Sequence, residues 1–342
     1  MLRSAGVAAV LAVLLAGCGQ SPPLPPPLTA PDDVVLGTAV TDDSAALENQ
    51  AYQDILTRDF GSITPDTAFK WGVLHPGPDQ YVWQRADEAL RRARQHNQRV
   101  RGHALLWHGS LPGWVASRAT SCAAARDMLK EHIDAVAGRY RGQVWQWDVA
   151  NEVLQPDGQL RRENPLLEVC GEAIIADAFR WAYQADPDAK LYLNDYATLE
   201  SGPKAQAQLA LVRRLLDDGV PIHGVGFQSH LELSTGVPDR AAEQLTAYGR
   251  LGLEVMITEA DVRMPAAAAG RDALERQATI YADLVGLCLA QDACVGFTFW
   301  GFTDRWSWVP QVLPGEGRAC LLDDQFVARP AWQAVREALQ DR

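Results

Sequence analysis

Eight short runs rich in apolar and β-branched residues recur along the chain. They lie at 34–40, 60–64, 99–107, 144–150, 190–195, 224–230, 253–259 and 295–301. Between them come amphipathic stretches rich in Ala, Arg and Leu, such as ADEALRRARQH, AAARDMLKEHIDAVAGRY and AQAQLALVRRLLDDG. Strand and helix patterns alternating at crossover spacing predict parallel strands joined by helices. Eight such units in the body, 33–342, match an α/β fold of the (β/α)8 TIM-barrel type, in a single domain. A doubly wound sheet shares the alternation, but no Gly-rich phosphate loop follows the first run. Low complexity is confined to the Ala266–Ala269 run and a Pro-rich stretch near the start.

The beginning of the chain follows a different pattern. Residues 1–17 carry Arg3 and then an apolar run, Val7 to Ala16. A membrane span needs about 20 apolar residues, so this run predicts a signal peptide. Its end, Leu15-Ala16-Gly17-Cys18, resembles the bacterial lipobox, which predicts a lipid on Cys18. Six prolines between residues 21 and 33 make 18–32 an extended, semi-rigid tether. The expectation is an exported lipoprotein, touching a membrane only through that anchor and facing the periplasm or cell surface.

Export into an oxidising compartment changes how the remaining cysteines are read. Cys288 and Cys294 sit six apart across a helix end and a strand start, which predicts a local disulfide. So short a closed loop contributes roughly 2 kcal/mol on the chain-entropy estimate. Cys122 and Cys170 fall in consecutive strand–helix connections and form the next candidate pair, leaving Cys320 as the odd thiol. No C-x-x-C pair is present, and zinc is not expected.

Composition narrows the partners. The 342 residues are 47% hydrophobic and 22% charged, an ordinary globular balance, with a net charge of −12. Such an acidic chain is a poor binder of phosphate backbones, which disfavours nucleic acid. The 11 Trp outnumber the 8 Tyr and the 8 Phe. With a negative surface, that excess points to a neutral ring-shaped ligand, sugars among them.

In a barrel of this kind, chemistry sits at the C-terminal ends of the strands. Those positions hold Asp66 and Lys70; His103, Trp107 and His108; Asn151 and Glu152; Asn194 and Asp195. Later strands add Gln228 and His230; Glu259 and Asp261; and Trp300, Asp304, Trp306 and Trp308. Glu152 and Glu259 each end a hydrophobic strand directly. Two carboxylates across a barrel mouth are what glycoside hydrolysis requires, one protonated and one ionised. No H-x-H strand end offers a metal site; His103 and His230 are expected to bond sugar or carboxylate. His75, His96, His132 and His223 read as surface or packing residues, and Trp71, Trp145, Trp147 and Trp181 as core or barrel wall.

The words around these residues are WDVANE, GHALLWHGSLPGWV, NDY, GFQSHL, ITEAD and FTFWGFTDRWSWVP. In that order, from about Leu36 to Trp332, they resemble the strand-end motifs of the family 10 glycoside hydrolases, the endo-β-1,4-xylanases. The resemblance implies a retaining enzyme degrading xylan or xylo-oligosaccharides, with no metal and no organic cofactor; a monomer is expected. It implies that Glu152 is the general acid/base and Glu259 the nucleophile. Asn151 would bond the sugar 2-OH, while His230 and Asp261 would support the nucleophile. Lys70, His103, Trp107 and Gln228 would contact sugars on the non-reducing side of the cleaved bond. Trp300 and Trp308 would wall that site against a hydroxymethyl group. The Cys288–Cys294 pair matches a disulfide of many members.

Two words depart from the family. Its E-N-x-x-K-W appears as Asp66-Thr67-Ala68-Phe69-Lys70-Trp71, and its N-D-Y-N ends in Ala197. Both changes shorten or remove groups expected to grip the second sugar, so weak action on plain xylan is expected. Two other readings stay open at this point. One is a barrel hydrolase for another β-linked glycan or glycoside, the other a catalytically silent glycan-binding protein.

Overall fold

The computed structural model describes residues 24–267 and 270–341. The signal peptide expected at 1–17 and Cys18, expected to carry a lipid, lie outside the described residues. In chain order the strands are β1 (Val35–Val40), β2 (Ser62–Pro65), β3 (Arg99–Leu106), β4 (Gln146–Asn151) and β5 (Lys190–Tyr196). Then follow β6 (Gly224–Gln228), β7 (His230–Glu232), β8 (Glu254–Pro265), β9 (Cys294–Phe299) and β10 (Glu316–Gly317). Strands β1 to β6, β8 and β9 pair in parallel, each with its neighbour in that order. Pairing of β1 with β9, Thr38 opposite Phe299, closes the ring. This is the (β/α)8 barrel that the alternation predicts.

The helical stretches anticipated from sequence match the helices Gln84–Gln95, Cys122–Arg139 and Pro203–Asp217, overrunning their C-terminal ends by one or two residues. Their starts have local causes. The Ser121 hydroxyl accepts from the backbone N–H of Ala124 at 3.3 Å, and Asn164 Oδ1 caps the helix Pro165–Cys170 through Leu166 N–H at 3.0 Å. Side-chain caps of this kind satisfy donors that the first helical turn leaves free. Most strand ends shift by one or two residues, and two departures shape the site. The sixth run stops at Gln228, and His230 opens a separate strand, β7. The seventh run continues to Pro265, because β7 and β10 both pair with the outer part of β8.

The core lies between barrel and helices. Trp71 and Trp147 are buried there, as expected. A Cβ on Gly102 would stand 2.2 Å from the Trp147 ring, so only glycine lets the indole lie against β3. Trp145 and Trp181 are half-buried, each with a guanidinium over its face, Arg99 at 5.1 Å and Arg126 at 5.6 Å. His132 is buried and stacks on Trp71 at 3.8 Å between ring centroids, with His75 beside it, while His96 is exposed and His223 half-buried. Disulfides join Cys122 to Cys170 and Cys288 to Cys294, and Cys320 is a buried free thiol.

The Pro-rich stretch is described from Leu24 onward, and there it is laid against the barrel. Trp332 Nε1 donates to Pro26 O at 2.8 Å, and the N–H of buried Leu28 donates to Asp59 Oδ1 at 3.0 Å. Asp59 ends the helix that leads into β2, so this contact lies at the N-terminal end of the strands.

Candidate active site

At the opposite end of the strands a cleft of about 670 Å³ opens. Glu152 and Glu259 both line it, as do Lys70, His103, Trp107, Gln228, His230, Trp300 and Trp308. The barrel thus gathers side chains from β2 to β9 that lie far apart in the chain.

Glu259 stands within β8 and is 3% exposed. Its Oε1 accepts from Asn194 Nδ2 at 2.7 Å, and its Oε2 meets His230 Nε2 at 3.2 Å. His230 is presented by β7, whose pairing sets it opposite Asp261, and its Nδ1 lies 2.9 Å from Asp261 Oδ2. Trp308 Nε1 donates to that same oxygen at 2.7 Å. Burial works against a charge on His230, but the carboxylates of Asp261 and Glu259 outweigh it and push its pKa up to about 10. The imidazolium donates from both nitrogens, tying Glu259 to Asp261.

Glu152 follows the last residue of β4, with a backbone φ of 53°. Few non-glycine residues adopt that region, and surrounding bonds must hold it there. Its N–H donates to Asn194 O at 2.9 Å, and Arg161 Nε donates to its carbonyl at 2.8 Å. Arg161 is itself fixed by a bond from Nη2 to Tyr196 Oη at 2.7 Å. The Glu152 carboxylate accepts only from amides, Asn151 Nδ2 at 3.3 Å and Gln228 Nε2 at 3.2 Å. His108 Nδ1 stands 3.9 Å from its other oxygen, and burial lowers the pKa of that imidazole.

The two carboxylates share a chain of amides. Asn151 Oδ1 accepts from both Gln228 Nε2 at 3.2 Å and Asn194 Nδ2 at 2.8 Å. Asn194 also bonds Glu259, and its Oδ1 accepts from Thr258 at 2.7 Å. A Cβ on Gly226 would come within 2.3 Å of that oxygen, so a glycine on β6 makes room for the hub. Sequence reasoning marked Asn194 as a strand-end residue without giving it a role. Behind it, Asp195 and Lys204 form a buried ion pair at 2.6 Å. Burial pushes the Asp195 carboxyl up to about 7 even against the pull of Lys204.

On the β2 and β3 side, Lys70 Nζ lies 3.1 Å from Asp66 Oδ1 and 5.1 Å from the centre of the Trp107 ring. His103 Nδ1 is 2.7 Å from Asp148 Oδ2, and its ring meets Trp300 edge-on at 5.4 Å. Trp308 stands edge-on to His230 at 4.9 Å, completing an aromatic wall. Asp148 is another residue the sequence reading passed over, although it lies inside the WDVANE word.

Thr67, Asp304 and Trp306 are among the strand-end residues that do not line the cleft. Thr67, expected to support the second sugar, instead donates its hydroxyl to Asp42 Oδ2 at 2.6 Å, and Arg85 pairs with the same carboxylate. Asp304 accepts from Cys320 N–H at 2.9 Å and pairs with Arg329. Trp306 packs against Tyr52 and Phe326. Ala197 lines the cleft at the end of β5, separated from Asp66 on the β2 side by the ends of β3 and β4. The two departures therefore do not act on one spot.

A family model described as glycosyl hydrolase family 10 matches residues 28–338. The endo-1,4-beta-xylanase 1 of Humicola insolens is 40% identical over 306 residues, covering 89% of this chain and 71% of that protein. A beta-1,4-xylanase of Dictyoglomus thermophilum is 40% identical over 273 residues, 75% of each chain. The crystal structure of xylanase 10B from Thermotoga petrophila RKU-1 in complex with xylobiose superposes with a TM-score of 0.87 at 35% identity, covering 90% of this chain and 94% of that one. Over residues 28–338, nearly the whole described body, this chain belongs to glycosyl hydrolase family 10.

Proposed function

We propose that this protein is an endo-β-1,4-xylanase that cleaves xylan with retention of configuration, Glu259 acting as nucleophile and Glu152 as general acid/base. The observation that carries this reading is the asymmetry of the two strand-end carboxylates. Glu259 is buried among an imidazolium and an amide donor, which suits an ion that attacks. Glu152 is held by neutral amides at the cleft, which suits a group that gives up and regains a proton.

In the first step Glu259 bonds to the anomeric carbon while the C1–O bond to the leaving sugar breaks. The leaving oxygen takes the proton of Glu152. In the second step Glu152 takes a proton from water as the water oxygen attacks C1, and the ester to Glu259 breaks. Asn151, bonded within the amide chain between the two, would bond the 2-OH of the reacting sugar. Lys70, His103, Trp107 and Gln228 would bind on the non-reducing side, between the walls of Trp300 and Trp308. The relatives named for xylan cleavage, and the xylobiose in the Thermotoga petrophila RKU-1 structure, support xylan as the substrate.

The proposed setting is export, with a lipid on Cys18 and the barrel as a monomer. Two disulfides favour an oxidising compartment. Among the described residues, no helix is long and apolar enough to cross a membrane. Large hydrophobic side chains left exposed there are Leu24, Tyr183, Val312 and Val327, single residues from four separate segments of the chain.

Azide separates the two roles. Glu259→Ala with azide should yield a glycosyl azide of inverted configuration, and Glu152→Ala with azide one of retained configuration. Interchanged products would reverse the assignment, and no azide product from either variant would remove it.

A further inference from the structure

Below the cleft floor lies a cation that the two-step reaction leaves unused. On β3, Arg101 and His103 share the face toward the barrel interior, while Gly102 between them lies against Trp147. The Arg101 side chain is 1% exposed. Its Nε donates to Asp148 Oδ1 at 3.2 Å, and its Nη2 pairs with Oδ2 of the same carboxylate. Across the barrel, Nη1 donates to the carbonyl of Thr258 at 3.1 Å. Thr258 directly precedes Glu259, and Nη2 stands 3.9 Å from Glu259 Oε1.

Around Glu259, the charged and titratable groups are Arg101 and His103 from β3, Asp148 and Glu152 from β4 and its end, His230 from β7, and Asp261 from β8. Asp148, Glu259 and Asp261 are buried carboxylates, against two buried or half-buried cations, Arg101 and His230. His230 is divided between Glu259 and Asp261, and Arg101 between Asp148 and Glu259. A buried carboxylate without a cation is costly, so each shared cation matters to both its partners.

We propose that Arg101 is a positioning residue for Glu259: anchored on Asp148, its guanidinium compensates the Glu259 charge and fixes the strand end that carries it. This rests on the reading of Glu259 as nucleophile. The fork of a guanidinium serves both carboxylates and the Thr258 carbonyl at once; a single ammonium cannot.

The test is the pH dependence of inactivation by a 2-fluoro aryl xylobioside, which traps the glycosyl-enzyme, in wild type, Arg101→Met and Arg101→Lys. The acidic limb of the rate should move up by about one unit or more in Arg101→Met. Its trapping rate should therefore fall about tenfold on the acid side of the wild-type midpoint, with the deficit closing as pH rises. Arg101→Lys should move the limb the same way by less. A limb unmoved in Arg101→Lys, or a loss equal at every pH, would overturn the proposal. If Arg101→Met does not fold, the lysine variant decides alone. Peptide mapping of the trapped wild-type adduct separates the two readings, because a label away from Glu259 removes the nucleophile assignment whatever Arg101 does.

Discussion

Glu152 and Glu259 are the same residue type at the ends of two strands of one barrel, yet their surroundings are opposites. Glu259 lies within a strand that is paired on both sides, and cationic groups approach both its oxygens, His230 at 3.2 Å and Arg101 at 3.9 Å. Glu152 stands just past the end of β4 in a left-handed backbone conformation, and its side chain keeps 16% of its surface open. One side is fixed by charge, the other by backbone bonds and amides. The comparison teaches that role follows from what the fold places around a carboxylate.

The sharpest way to break this contrast is to remove each carboxylate in turn. Glu259→Ala should lose at least about 10⁴-fold in kcat on every substrate, as nucleophile removal does elsewhere. Glu152→Ala should lose about 10²–10⁴-fold where the leaving group needs a proton, and far less on activated aryl glycosides. Matched losses across leaving groups would erase the distinction.

A second prediction concerns the charged side. His230 has its pKa raised to about 10 in the folded protein, above its ordinary value of 6.5. Its stabilising contribution is therefore fully present below about pH 6.5 and is lost as pH rises through about 10. Urea unfolding followed from pH 6.5 to 10 should show falling stability, with a shallower fall in His230→Gln. Parallel curves for the two proteins would place the titration elsewhere.

On the other side, Arg161→Ala leaves the Glu152 carbonyl without its guanidinium partner. An unpaired carbonyl there costs about 1–3 kcal/mol. The effect should be roughly a tenfold fall in kcat on poor leaving groups, with activated substrates nearly unaffected. A uniform fall would show that Arg161 acts on folding and not on the placement of Glu152.

Much of this division was legible in the sequence. Both glutamates end hydrophobic runs, and the strand–helix alternation places those ends on one face. The parts that were not legible depend on partners distant in sequence. Asn194 reaches residues 43 and 65 positions away, so nothing near it announces a hub. β7 and β10, of three and two residues, are too short to carry a hydrophobic period, and they extend β8 beyond its apolar run. Thr67 occupies a strand end, but Asp42, 25 residues earlier, draws its hydroxyl away from the cleft. Strand-end position locates a residue; its rotamer is decided by whichever partner is nearest.

The smallest expected effect follows from that correction. Asp66→Glu should raise kcat/KM on linear xylo-oligosaccharides by a few-fold at most, one neutral hydrogen bond being worth about 0.5–1.5 kcal/mol. Thr67→Asn alone should change little, because the hydroxyl it replaces is spent on Asp42. A larger gain from Thr67→Asn than from Asp66→Glu would mean that the asparagine swings into the cleft and reaches sugar.

The contacts of Pro26 with Trp332, and of Leu28 with Asp59, fix where the chain enters the barrel. They bring the first described residues in beneath the barrel, at the end of the strands away from both glutamates. Were the proposed lipid on Cys18 to hold the chain, the barrel would rest on that end with the cleft facing outward. A long polysaccharide could then be drawn across the open face from either direction, without threading past the fastening.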